Sequence, residues 1–217
     1  MNKLKNILVA IDFSECSRSA LGQAVRLSQW NNARLHALHG IEYLTLGDAA
    51  WATHVPQEKL ERDAVTEAKQ ALHHWLRKVE APAETNVLVD VGAPIDCVVR
   101  RVREIKADLL VVGVTGSSMI PMGAGTLATK CLRKVPAKVM LVHERQRGPF
   151  RQIVACVDFS DQSREAVAQA LRVAEQDGAE VCFLHVFTGS WGRHEMLPDA
   201  WEVDESQAAQ YRRGLEL

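Results

Sequence analysis

No hydrophobic run in this 217-residue chain approaches the roughly 20 residues needed to cross a bilayer. The start, Met1-Asn2-Lys3-Leu4-Lys5-Asn6, enters a strand pattern without the apolar core of a secretion signal. Neither sign of charge prevails: 26 Lys and Arg stand against 27 Asp and Glu, a formal net charge of -1. Nothing global therefore draws the chain to nucleic acid or to a membrane, and no basic cluster with interleaved aromatics occurs. The five cysteines, Cys16, Cys97, Cys131, Cys156 and Cys182, are odd in number, scattered and without a C-x-x-C pair. That pattern argues against a disulfide framework or zinc site, so reduced thiols and a cytoplasmic location are expected. His73 and His74 are adjacent and point to different helix faces, which excludes an i,i+4 metal pair. Two familiar phosphate motifs are also missing, G-x-x-x-x-G-K-[ST] and G-x-G-x-x-G.

What is present is an ordinary globular balance, 47% apolar and 24% charged residues. Short, mostly apolar runs at 7–11, 35–41, 87–91, 109–112 and 139–142 read as strands. Helical patterns fall between them. One follows Ser14, a candidate N-cap, with an apolar stripe of Ala20, Leu21, Ala24, Val25 and Leu27, and ends at Asn31-Asn32. Others span 57–79, 95–105 and the segment through Leu127, Cys131 and Leu132 that Pro136 stops. Residues 42–56, with Gly47 and Trp51, read as a surface loop. Strands alternating with helices imply an α/β fold: an open five-stranded parallel sheet, Rossmann-like in strand order 3-2-1-4-5, with helices on both faces.

In such a sheet ligands bind where strand order reverses, outside the carboxyl ends of the first and fourth strands. Asp12 ends the first strand, and there its carboxylate either caps the following helix or contacts a ligand. The fourth strand breaks into Gly113-Val114-Thr115-Gly116, then Ser117-Ser118 and Gly123-Ala124-Gly125-Thr126 before the next helix. Glycines let bare backbone amides approach a ligand, and the new helix directs its positive end at the loop, which suits a phosphate. Glycines also simply close tight turns, so the loop alone does not decide.

After Pro149 the chain repeats its beginning. At an offset of about 146, roughly 13 of 34 positions in 7–40 recur in 153–186, against about two by chance. Asp12-Phe13-Ser14 recurs as Asp158-Phe159-Ser160, Arg26 as Arg172 and Leu38-His39 as Leu184-His185. The expected organisation is a domain at 1–144, a linker at 145–149 and a partial second copy at 150–217, with a helix starting near Ser206. Two parallel strands with one crossover cannot bury both faces. The copy must lean on the first domain, on a partner, or on residues of a longer parent protein, the last being favoured.

The chain resembles a universal stress protein of the tandem type. Asp12-Phe13-Ser14, Leu38-His39, Gly92-Ala93-Pro94 and the nucleotide signature G-x2-G-x9-G-[ST] carry the likeness. Gly113, Gly116 and Gly125-Thr126 fill that signature, with an intervening segment one residue shorter than the family pattern. The resemblance implies an adenine nucleotide, ATP or AMP, alone or with Mg2+. Asp12 and Gly40 would meet adenine, Val112 and Gly113 the ribose side, and Gly116, Gly125 and Thr126 the phosphates. Thr126 as a plain N-cap is compatible with that role. A stress sensor or regulator is the favoured function, beside a scaffold with no nucleotide and a slow ATPase. Against a dedicated hydrolase, no acidic Mg2+ cluster, positioned arginine or base is evident near the loop. The family also implies pairing of the fifth strand, 139–142, with another domain, most simply as a homodimer. The second copy, lacking a glycine loop, is expected to have no nucleotide site.

Overall fold

In the computed structural model the described residues are 4–116 and 125–186. The first unit runs β1 (Asn6–Ala10), α1 (Glu15–Asn31), β2 (Arg34–Ile41), α2 (Tyr43–Thr53), α3 (Gln57–Lys78) and β3 (Asn86–Val91). It continues through α4 (Pro94–Ile105), β4 (Leu109–Gly113), α5 (Thr126–Lys134) and β5 (Lys138–Val142). Its strands form one parallel sheet in the order β3-β2-β1-β4-β5. This is the open α/β arrangement that the alternating strand and helix patterns imply.

The strand period of two divides the core. Ile7, Val9, Leu35, Ala37, Leu109 and Val111 face one side, packed under Ala20, Leu21 and Ala24 of α1 and Leu72 and Leu76 of α3. Leu8, Ala10, Leu38, Leu110 and Val112 face the other, against Ile95, Val98 and Val102 of α4 and Cys131 of α5. Both faces are covered, which is why the central strands are apolar throughout.

Local chemistry fixes the helix ends. Ser14 caps α1, its side chain accepting from the Ser17 amide at 3.2 Å, and Asn32 closes that helix in the left-handed region at φ 51°. Pro94 opens α4 at its first turn, where its missing N–H costs nothing.

One expectation fails. Residues 42–56 are not an irregular loop: Tyr43–Thr53 is the helix α2. It lies along α3 and buries Leu46, while Trp51 stays 85% exposed. The short segment has no clear apolar stripe, and Gly47 inside a helix costs about 1 kcal/mol relative to Ala. Packing on α3 outweighs that weak propensity.

The second unit comprises β6 (Gln152–Cys156), α6 (Asp161–Asp177) and β7 (Glu180–Leu184), with β6 and β7 paired in parallel. It repeats the first in detail. Phe13 and Phe159 both sit at φ 63°. Asp12 and Asp158 each accept from the Ser14 or Ser160 hydroxyl at 2.6 Å. The separate two-stranded sheet leaves Val154, Phe183 and Leu184 exposed. The helix expected near Ser206 lies outside the described residues, as does the loop segment 117–124.

Candidate functional site

A cavity of about 320 Å³ opens where β1 and β4 lie side by side at the carboxyl edge of the sheet. Asp12, Gly40, Val112, Gly113, Gly116, Gly125 and Thr126 all line it. More of its wall comes from His39 in β2 and Glu42 just after it, from Pro94, Cys97 and Val98 of α4, and from Leu127 and Ala128 of α5. Residues separated by about a hundred positions meet here because β1 and β4 are neighbours.

The turn after β1 is built around Asp12. Its Oδ1 accepts from the Ser14 amide at 3.1 Å and the Ser14 hydroxyl at 2.6 Å, so the carboxylate does buttress the helix cap. Its Oδ2 lies toward the glycine loop: a Cβ placed on Gly116 would stand 2.7 Å from it. Capping and lining the cavity are thus compatible. The intervening Phe13 takes a left-handed conformation, uncommon for a bulky residue. Its ring packs 4.7 Å from His39 and edge-on to Trp75 at 5.3 Å. The His39 Nδ1–H donates to the Ile11 carbonyl at 2.7 Å, tying the end of β2 to the end of β1.

The glycines differ in what requires them. A Cβ on Gly113 would fall 2.8 Å from the Cys16 Cβ, 3.0 Å from the Cys16 carbonyl carbon and 3.1 Å from the Ser17 nitrogen. Its bare Cα lets β4 lie against the first turn of α1, a packing need that the sequence alone does not distinguish from ligand approach. Gly125 donates its amide to the Val114 carbonyl at 2.7 Å, clasping the two ends of the loop together. That amide is therefore spent. Gly125 is also the N-cap of α5, making Thr126 the first helical residue rather than the cap. The amides of Thr126, Leu127 and Ala128 begin the helix, where no intrahelical acceptor exists, and all three residues line the cavity. At Gly40 an added Cβ would make only ordinary contact, 3.5 Å from the Pro94 Cα.

The α4 wall carries little signal in the sequence beyond Gly92-Ala93-Pro94. It is held by Asp90, a buried carboxylate near the end of β3 that accepts from Arg101 at 2.8 and 2.5 Å and pairs with Arg100 at 2.9 Å. The Arg101 hydrogen bonds, reinforced by Arg100, hold the Asp90 pKa below the usual carboxylate value although burial opposes this. Burial pushes the Cys97 thiol up, and that of Cys131 to about 11. At neutral pH both stay protonated and serve as apolar filling. Among the described residues, no three His, Cys, Asp or Glu side chains converge to hold a metal ion. No helix among them is long and apolar enough to cross a membrane.

A parallel sheet in this order, with a cavity at its switch point and a helix N-terminus facing in, defines a doubly wound α/β fold. Comparison with known proteins narrows the class. The profile of the universal stress protein family matches residues 3–143 and again 149–217, and the chain belongs to that family. A universal stress protein from Archaeoglobus fulgidus DSM 4304 superimposes with a TM-score of 0.60 at 15% identity, covering 97% of this chain and 74% of that one. Universal stress protein UspA from Lactobacillus plantarum gives 0.55 at 21% identity, over 65% of this chain and 99% of its own. The hypothetical protein MJ0577 gives 0.57 at 19%, over 65% and 97%. These likenesses establish the fold. Among curated proteins, no sequence matches the chain.

Proposed function

We propose that the chain binds one adenine nucleotide, ATP or AMP, in the cavity between β1 and β4, and that it acts as a regulator or sensor in stress response. The observation that carries this reading is the meeting, in one cavity, of the Asp12 carboxylate with the glycine loop and the first turn of α5. Asp12 offers an acceptor for the exocyclic amine of adenine, and the Gly40 backbone lies beside it. Val112 and Gly113 flank the ribose. Gly116, Gly125 and Thr126 surround the phosphates, whose charge is met by the amides of Thr126, Leu127 and Ala128 rather than by that of Gly125. A Mg2+ ion would ride on the phosphates. No arginine or lysine is among the described residues lining the cavity to meet the charge of a transferring phosphoryl group, which favours binding over hydrolysis.

In this reading residues 1–144 form the nucleotide-binding domain, 145–149 link it to the rest, and 150–217 supply no site, since the glycine loop has no counterpart there. The protein would work in the cytoplasm, without nucleic acid. Purified protein, denatured and analysed by chromatography, should release ATP or AMP in up to one equivalent per chain. Release of a different ligand class from the cavity would refute the assignment.

A further inference from the structure

Two arginine contacts between the units form a matched pair. At the offset of about 146, α6 (Asp161–Asp177) is the copy of α1 (Glu15–Asn31), Arg172 is the copy of Arg26, and Asp177 that of Asn31. Arg26 donates through Nη1 to the Asp177 carboxylate, and its guanidinium lies over the Phe150 ring at 5.4 Å. Arg172 reaches the other way: its Nη2 donates to Asn31 Oδ1 at 3.4 Å, and its guanidinium lies over the Trp30 ring at 5.1 Å. Position 26 of the first copy thus touches the equivalent of position 31 in the second, and the reverse. Such reciprocity is the mark of a two-fold, self-complementary contact.

We propose that α1 and α6 form an isologous interface, and that the outer face of α1 is a docking surface for another copy of the same fold, occupied here by the chain's own second unit. Among the described residues no strand of the second unit pairs with the five-stranded sheet, and the arginine clamps join the two units. The Arg26 clamp is the stronger, because the Asp177 side chain is only 2% exposed and its second oxygen accepts from the Phe150 amide at 2.7 Å. A desolvated, hydrogen-bonded ion pair is costly to break from one side. Arg26 is itself braced by Gln23 Oε1 at 2.7 Å, and Gln23 donates to the Gly148 carbonyl at 2.8 Å. Ser19 donates to the Glu144 carbonyl at 2.8 Å, so α1 also holds the segment that joins the units. The Arg172 clamp meets a neutral amide at the limit of hydrogen-bond length and is the weaker partner.

The test uses the full chain under native conditions and reads trypsin cleavage at Arg145, Arg147 and Arg151 by mass spectrometry. These arginines are exposed in the docked chain, so a rise of the rate above that of wild type is what reports undocking where reclosing outpaces cutting. Arg26→Gln should raise it about tenfold or more, the loss of a charge-assisted bond, and Arg172→Gln severalfold. Combining Arg26→Gln with Asp177→Asn should add little to either alone, because both remove one interaction. Wild-type cleavage rates in either arginine variant, or additive effects in the double variant, would overturn the proposal. If Arg26→Gln unfolds the first domain, cuts appear at Arg103 in α4 as well. Arg26→Lys, which keeps the charge but loses the fork, then decides by cleaving at the linker alone, between wild type and the undocked limit; a wild-type rate there refutes it.

Discussion

Substituting Gly113 by Ala separates the packing role of the first signature glycine from any role toward a ligand. The new methyl would lie 2.8 Å from the Cys16 Cβ, and 3.0 and 3.1 Å from backbone atoms of Cys16 and Ser17. Those atoms belong to the first turn of α1, which is fixed by the Ser14 cap and by packing of Ala20 and Leu21 on the sheet, so they cannot swing aside as a flexible side chain would. Overpacking of this kind costs about 1–3 kcal/mol. For a domain of this size each kcal/mol lowers Tm by roughly 3–4 °C, so a fall of about 3–12 °C is expected. The assay is thermal unfolding followed by circular dichroism on nucleotide-free protein, because a ligand bound only by the native state would mask the change. Gly40→Ala, with its ordinary 3.5 Å contact, is the control and should melt within about 1 °C of wild type. If Gly113→Ala melts like that control and loses only ligand affinity, the packing argument is wrong.

Gly116→Ala should weaken adenine-nucleotide binding, because the new methyl would displace the Asp12 carboxylate, 2.7 Å away. Asp12→Ala should weaken it about ten- to hundredfold by removing a charged acceptor; calorimetry showing unchanged affinity for both variants would exclude Asp12 from the site. Burial, with a smaller contribution from Arg34, lowers the pKa of His36 below its ordinary value. The unfolded chain therefore takes up this proton first. The contribution is complete above about pH 6.5 and declines as pH falls toward the lowered folded value, by at most about 1.4 kcal/mol per pH unit. His36→Gln should flatten the stability profile between pH 7.5 and 5.5, and an unaltered slope would count against it. β5, at the end of the sheet order, is expected to pair with another copy through 139–142; light scattering that gives a monomer mass at every concentration would exclude this.

The sheet was legible because its strands are short, mostly apolar runs, and alternating helices force parallel connections. Asp12 and the loop could be brought together from topology alone, since the first and fourth strands are neighbours at a switch point. Helix α2 was not legible: Gly47 and the exposed Trp51 break its pattern, and contact with α3 stabilises it. Gly113 could be noticed but not interpreted, because the need for a bare Cα arises from Cys16, far away in sequence. Pro94, Cys97 and Val98 enter the cavity through a helix whose placement depends on the Asp90–Arg101 pair, which no local spacing reveals. Arg26 and Arg172 stood out as repeated residues, yet their partners differ, Asp177 in one copy and Asn31 in the other, so the reciprocity is visible only in three dimensions.

Isothermal titration of the nucleotide-free full chain with ATP, and separately with AMP, tests the central claim most directly. Saturable binding of one nucleotide, ATP or AMP, per chain is expected. Absence of binding heat for both nucleotides at millimolar concentration, confirmed by equilibrium dialysis, or saturation at two per chain, would contradict the account.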